Sequence, residues 1–123
     1  MKYTKEHEWL RVENGPGGDL VVVGITEHAA TALGDVVFVE LPEVETVVAE
    51  GDEVAVIESV KAASDILAPT AGEIVAVNDL LVDNPGLVNE DPLGAGWFFK
   101  LKLDDMAVLD DFLNEDEYAE LIG

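Results

Sequence analysis

Residues 54–68 have the sequence Val54-Ala55-Val56-Ile57-Glu58-Ser59-Val60-Lys61-Ala62-Ala63-Ser64-Asp65-Ile66-Leu67-Ala68. Two apolar runs, 54–57 and 66–68, flank a short polar segment, a pattern that predicts two strands joined by a tight hairpin. Lys61 falls near its tip and is the one Lys or Arg between Val12 and Phe99. An isolated amine on an exposed turn of small residues is accessible to a modifying enzyme and well placed to swing a tethered group.

An ordinary structural explanation for Lys61 competes with this one. A surface lysine on such a turn can also be kept for a salt bridge with Glu58 or Asp65. The spacing of the residues alone does not decide between a modification site and an ion pair.

Outside the hairpin, the sequence pattern predicts further short strands separated by turn residues. Such a pattern is typical of an all-β sandwich or barrel. The other predicted strands cover residues 3–12, 20–25, 36–41, 46–48, 74–77 and 97–103. Turns are expected at 14–18 and 70–72, and a loop at 78–89.

Helices are expected only as accessories to this β core. Thr26 is a suitable N-cap for a short helix over 27–33, and Gly34 stands where a C-terminal cap belongs. In the tail, apolar residues recur at helical spacing over 108–113, and Asn114 can cap a second short helix. We therefore predict one domain over 1–123, with a β core at about 3–103 and a helical segment at about 104–123.

The composition excludes several classes of protein. Twenty-seven acidic residues face six Lys and Arg, for a net charge of −21, which argues against nucleic-acid binding. No apolar run is long enough to cross a membrane, and the N-terminus has no signal-peptide pattern. The chain has no cysteine, so disulfides and thiol catalysis are excluded and a cytoplasmic location is expected.

The acidic surface has its own interpretation. A folded chain of this size exposes roughly 6,400 Å², or about 300 Å² for each net negative charge. Net charges then lie on the order of 17 Å apart, inside the ~30 Å screening length at ~0.01 M salt and beyond the ~10 Å length at ~0.1 M. We predict a protein of a salt-adapted prokaryote; an acidic partner-binding face is the alternative.

No catalytic or metal-binding pattern emerges from the remaining polar residues. Ser59 has no histidine nearby in sequence, which argues against a hydrolase triad. The acid pairs Asp104-Asp105 and Asp110-Asp111 lack the spacing of a calcium loop. We therefore predict neither catalytic residues nor a metal site.

Nearly the whole chain, from Tyr3 to Tyr118, resembles the glycine cleavage H-protein family. The resemblance rests on long, ordered segments, namely Tyr3-Thr4-Lys5-Glu6-His7-Glu8-Trp9, Gly24-Ile25-Thr26, Leu33-Gly34-Asp35-Val36-Val37-Phe38-Val39-Glu40-Leu41-Pro42, Glu58-Ser59-Val60-Lys61-Ala62-Ala63-Ser64-Asp65, Asp83-Asn84-Pro85, Val88-Asn89-Glu90-Asp91-Pro92 and Gly96-Trp97.

The resemblance implies a lipoyl-type barrel-sandwich hybrid, mainly β, with a short internal helix and C-terminal helices. It also implies lipoate in amide linkage to Lys61. The hairpin tip of this chain differs from that of biotinyl domains, which usually have Met on both sides of the lysine. It also differs from that of 2-oxoacid dehydrogenase lipoyl domains, which usually have Asp-Lys-Ala. The residues implied in recognition of the tip are Glu58, Ser59, Val60, Ala62 and Asp65.

The family's chemistry implies a carrier and not an enzyme. Lipoyl-Lys61 would take an aminomethyl group from a pyridoxal-phosphate glycine decarboxylase, the P protein, and pass it to a tetrahydrofolate-dependent aminomethyltransferase, the T protein. A dihydrolipoyl dehydrogenase, the L protein, would reoxidise the arm, and a lipoate-attaching enzyme would load Lys61. Lipoate carries the difficult chemistry.

The loaded arm ends in a cationic amine, so a cleft that shelters it should present carboxylates. By resemblance, Glu8 and Asp65 are the candidates. The family often has a histidine near position 32, where this chain has Ala32. Two other functions remain open: a relay that donates lipoate to 2-oxoacid dehydrogenase complexes, and a purely structural acidic domain.

Overall fold

The computed structural model describes residues 1–15, 18–103 and 105–123, and within them the fold consists of two antiparallel sheets with short helices at their edges. The strands are β1 (Lys2–Tyr3), β2 (Glu8–Gly15), β3 (Gly18–Ile25), β4 (Val36–Glu40), β5 (Val47–Val48), β6 (Glu53–Ser59), β7 (Ala63–Leu67), β8 (Gly72–Val77) and β9 (Phe99–Lys102). One sheet has the order β1-β2-β3-β9-β8-β5, and the other has the order β4-β6-β7. The prediction of a mainly β chain is confirmed.

The hydrophobic core draws buried side chains from both sheets, and β3 is its most completely buried strand. Val21, Val22 and Val23 are fully buried, which explains why this strand is a continuous apolar run and not an alternating one. Gly24 pairs with Trp9 on β2, and a Cβ there would lie 2.5 Å from the indole ring. The indole fills this space and donates its Nε1 hydrogen to the Pro92 carbonyl at 2.8 Å.

The internal helix is confirmed with its predicted bounds. Helix α1 (Glu27–Leu33) begins after Thr26, whose hydroxyl accepts a hydrogen bond from the Ala29 amide. It ends at Gly34, which has a φ of 73°. A positive φ favours glycine because it has no Cβ to clash with the backbone. Local capping chemistry therefore fixes both ends of this helix.

Two predictions about local structure are wrong. The predicted strand over 3–12 is two strands, β1 and β2, joined by a tight turn in which the Thr4 carbonyl accepts from the His7 amide at 3.1 Å. The predicted loop over 78–89 contains two helical turns, α2 (Leu80–Asp83) and α3 (Leu87–Glu90). The Asn78 side chain holds this segment by donating to the backbone carbonyls of Ala95 and Trp97.

The C-terminal segment is helical, as predicted, but begins as a 3₁₀ helix, Met106–Asp111. Asn114 then caps α4 (Glu115–Ile122) in a reciprocal capping box with Glu117. Pro16 and Gly17 of the predicted first turn lie outside the described residues, as does Asp104. No helix in the described part of the chain is both long and apolar enough to span a bilayer.

Tyr118 packs α4 against the rest of the fold. Its ring stacks on Tyr3 with centroids 4.6 Å apart, and its hydroxyl lies 2.8 Å from His7 Nδ1 and 2.7 Å from Thr26 Oγ1. One buried side chain thus joins the last helix to the β1–β2 turn and to the N-terminus of α1.

Candidate functional site

The predicted hairpin is present, and Lys61 lies exposed at its tip. Glu58 pairs with Ala63, and the Ser59 amide donates to the Ala62 carbonyl at 2.8 Å, which closes the turn. The Ser59 hydroxyl oxygen also accepts from the amides of Lys61 and Ala62. Ser59 therefore shapes the turn, while the Lys61 side chain takes no part in holding it.

The tip is anchored to the neighbouring elements. The Val60 amide donates to the Asp35 carbonyl at 3.0 Å, which ties the turn to the residue before β4. The Lys61 stem lies over Gly34, since a Cβ at Gly34 would stand 3.3 Å from Lys61 Cε. Lys61 is therefore placed at the C-terminal end of α1, beside the surfaces that this helix lines.

One of those surfaces is a cleft of about 280 Å³ between α1 and β7. It brings together three positions that the sequence singled out: Glu8, Asp65 and Ala32. Most of the other residues that line it are apolar, namely Ile25, Ala29, Leu33, Ile57, Ile66 and Leu67. We call this cavity the apolar cleft. Glu8 is 3% exposed and lies deep in the wall, whereas Asp65 is exposed.

Glu8 is in an unusual electrostatic environment. Burial raises the pKa of its carboxyl to about 7, from an ordinary value of 4.5. The Thr4 hydroxyl opposes this shift by donating to Glu8 Oε1 at 3.2 Å, and the negative charge of Glu6 reinforces it. A cation entering the cleft would favour the ionised form of Glu8.

The salt bridge that competed as an explanation for Lys61 is not found. Within the described residues, the one side-chain ion pair closer than 4.0 Å joins Lys100 to Glu13, far from the tip in sequence. Glu58 lies on β6 next to the tip, where it pairs with Ala63 of β7, and its side chain is exposed. Among the described residues, the Lys61 amine therefore has no carboxylate partner.

We did not predict from the sequence that His7 lines the cleft. His7 lines the apolar cleft beside Glu8 and is held by the Tyr118 hydroxyl at 2.8 Å. Burial, and then the nearby His28, lower the pKa of its imidazole. Its adjacency to Glu8 was a sequence signal, but its φ of 67° and its bond to a residue 111 positions away were not visible there.

Comparisons with known proteins identify the family of this chain. The family model described as "Glycine cleavage H-protein" matches residues 1–123. The chain belongs to the glycine cleavage H-protein family. It is 57% identical to the glycine cleavage system H protein of Xanthobacter autotrophicus over 99% of this chain and 94% of that one. It is 58% identical to the protein of the same description from Thermus thermophilus, over 98% and 91%.

A solved structure supports the fold. The crystal structure of a glycine cleavage system H protein from Mycobacterium marinum matches with a TM-score of 0.87 and 42% identity, over 99% of this chain and 95% of that one. The expected lipoyl-type barrel-sandwich fold with C-terminal helix is therefore confirmed.

Membership also confirms the function and the cofactor. The family comprises lipoyl carriers of the glycine cleavage system, which carry lipoate covalently attached to a lysine. Membership of that system implies its P, T and L proteins as partners in general. The alternative of a lipoate relay is not better supported by these comparisons.

Proposed function

We propose that Lys61 is the lysine that carries the lipoyl group. The observation that carries this proposal is an amine at the exposed tip of a hairpin whose hydrogen bonds do not use it, and which has no ion-pair partner among the described residues. Ser59, Val60 and Ala62 give the turn its shape, and Glu58 and Asp65 flank it with carboxylates. A lipoate-attaching enzyme would recognise this combination.

The chain's own contribution is to position and shelter the arm. When attached, lipoate supplies a disulfide that accepts a one-carbon amine from glycine decarboxylation and releases its carbon to tetrahydrofolate. This chain presents Lys61 in turn to the decarboxylase, the aminomethyltransferase and the dihydrolipoyl dehydrogenase. It supplies no acid, base or nucleophile to those reactions.

The apolar cleft is the part of the surface that fits the arm between encounters. Gly34, over which the Lys61 stem lies, lines a different and larger cavity of about 460 Å³, whose lining is mainly polar and carries the acids Glu27, Asp35, Glu90 and Asp91. A hydrocarbon arm gains more from leaving water in the apolar cleft. That cleft also has Glu8 and Asp65 to meet a cationic amine.

Peptide mapping tests the attachment site. We expect natively lipoylated protein to carry one adduct, on the peptide that contains Lys61. Intact mass gives the stoichiometry, and fragmentation gives the position. An adduct on Lys100 or Lys102 would contradict the proposal.

The raised pKa of Glu8 predicts a pH-dependent stability. Between pH 4.5 and about 7 the folded chain holds the Glu8 proton while the unfolded chain has lost it. The free energy of unfolding therefore falls as pH rises through this window, by about 3 kcal/mol in total. Glu8→Gln should remove this loss, so the free energy of unfolding of the variant should rise relative to that of wild type between pH 5 and pH 8.

Urea unfolding of wild type and Glu8→Gln at several pH values measures this difference. Glu43→Gln is the matched control, because it removes a carboxylate from an exposed position outside the apolar cleft. A constant difference between wild type and Glu8→Gln from pH 5 to pH 8 would show that Glu8 ionises as an exposed carboxyl does.

Glu58 should take part in recognition of the tip. Because its side chain is exposed, Glu58→Lys should slow lipoylation several-fold while changing the melting temperature little. Initial rates with purified lipoate-attaching enzyme measure the effect, and Glu53→Lys, at an exposed position at the other end of β6, is the control. Equal lipoylation rates for wild type and Glu58→Lys would show that Glu58 takes no part in recognition of the tip.

A further inference from the structure

Strand β4 presents two consecutive apolar side chains to solvent. Neighbouring residues of a regular strand point to opposite faces of the sheet. Here the pairing of β4 with β6 shifts register between Val36 and Phe38, so Val37 and Phe38 are 57% and 44% exposed. A bulge of this kind re-aims side chains and is common next to functional sites.

The bulge lies beside the proposed attachment site. Val36 pairs with Ser59, Phe38 pairs with Glu58, and the Val60 amide is bonded to the Asp35 carbonyl. Val60 is itself 67% exposed on the turn. Val37, Phe38 and Val60 are therefore three exposed apolar residues on adjoining segments at the tip, and together we call them the edge patch.

The edge patch lies on an edge strand and is bordered by acids. Strand β4 is at the outside of the β4-β6-β7 sheet. Asp35, Glu40 and Glu58 are exposed around it. Exposed apolar groups bordered by charge are characteristic of protein interaction sites.

We propose that the edge patch is the docking surface for the lipoate-attaching enzyme, which would contact it with an apolar surface bordered by Lys and Arg. The proposal rests on the proposed attachment at Lys61. The charge argues against a second copy as the occupant, because another chain of net charge −21 would bring the same carboxylates against Asp35, Glu40 and Glu58.

The length of the Lys61 side chain favours the lipoate-attaching enzyme as the occupant of the edge patch. It does not favour the decarboxylase, the aminomethyltransferase or the dehydrogenase. Before lipoate is present, the enzyme must reach an amine on the bare four-carbon stem of Lys61. Its surface must therefore come against the residues that surround the tip. The later partners act at the far end of a longer arm and can dock farther from the hairpin.

The test compares lipoylation with later steps in Val37→Thr/Phe38→Thr. Threonine retains a strand-forming side chain but adds a hydroxyl in place of apolar surface. We expect kcat/KM for lipoylation of the apo chain to fall about tenfold, chiefly through KM. Once fully lipoylated by long incubation and then chemically reduced to the dithiol, the variant should be reoxidised by dihydrolipoyl dehydrogenase within twofold of the wild-type rate.

Two further variants complete the experiment. Val47→Thr is the control, since Val47 is 79% exposed on β5 and pairs with β8 in the other sheet. Its lipoylation should match wild type. The single variant Val37→Thr, nearly isosteric, gives the same test if the double variant melts at a lower temperature.

The outcomes separate this proposal from the proposed function. Lipoylation of both edge-patch variants at the wild-type rate overturns the docking proposal, as does an equal loss of rate with the dehydrogenase. An adduct on another lysine of the wild-type chain instead overturns the attachment at Lys61. Slower lipoylation at Lys61, with reoxidation preserved, supports both.

Discussion

Replacing Lys61 by Arg should abolish lipoylation and reduce glycine-dependent carrier activity to background. The substitution keeps the positive charge but replaces the amine that an amide bond requires with a guanidinium. The fold should be unaffected, because the turn is closed by backbone groups and by the Ser59 hydroxyl and not by the lysine side chain. Surface substitutions of this kind usually change stability by less than about 0.5 kcal/mol.

Intact mass, the decarboxylase-dependent exchange of CO₂ into glycine, and a thermal melt together measure these effects. Lys102→Arg is the matched control, because Lys102 is also exposed and should leave all three unchanged. Lys100 is less suitable, since its amine is paired with Glu13 at 2.6 Å. A lipoyl adduct on purified Lys61→Arg protein would contradict the assignment.

The parts of this structure that the sequence could predict are those that depend on nearby residues. The hairpin around Lys61 follows from two apolar runs and a short polar turn. Helix α1 follows from Thr26 and Gly34, which cap its two ends in the structure as predicted. Such signals act over a few positions along the chain, so they remain visible without knowledge of the tertiary contacts.

The parts that the sequence could not predict depend on distant contacts. The family resemblance named Glu8 as a cleft carboxylate, but by its residue type alone it was one acid among 27. Only the packing beside α1 and β7 shows that it is buried. His7 is fixed by Tyr118, from the other end of the chain. The bulge that exposes Val37 and Phe38 depends on pairing between β4 and β6 and has no local sequence signature.

The second large effect that we expect is a rise in thermal stability with salt. The chain exposes 6641 Å² and has a net charge of −21, which is about 320 Å² for each net charge and a spacing of about 18 Å. At that spacing two unit charges in water repel by about 0.2 kcal/mol. Summed over some tens of adjacent pairs, the repulsion amounts to several kcal/mol, and Lys100–Glu13 is the one compensating ion pair within the described residues.

Salt should remove most of this repulsion. The screening length is ~30 Å at ~0.01 M and ~3 Å at ~1 M, so neighbouring charges interact at the lower concentration and hardly at the higher. The unfolded chain spreads the same charges farther apart and gains less from screening. We expect the melting temperature to rise by on the order of 10 °C between these concentrations of potassium chloride, since ~1 kcal/mol shifts it by about 4 °C in a chain of this length.

A charge-depleted variant distinguishes screening from other effects of salt. Glu43→Gln, Glu50→Gln and Glu53→Gln together change the net charge from −21 to −18 at exposed positions away from the tip. If repulsion limits stability, this triple variant should melt higher than wild type at ~0.01 M salt and converge with it near ~1 M. A wild-type melting temperature that stays flat over this range would reject salt adaptation. The carboxylates would then be better explained as an acidic surface for partners, and the edge patch with its border of Asp35, Glu40 and Glu58 would be the first place to look for them.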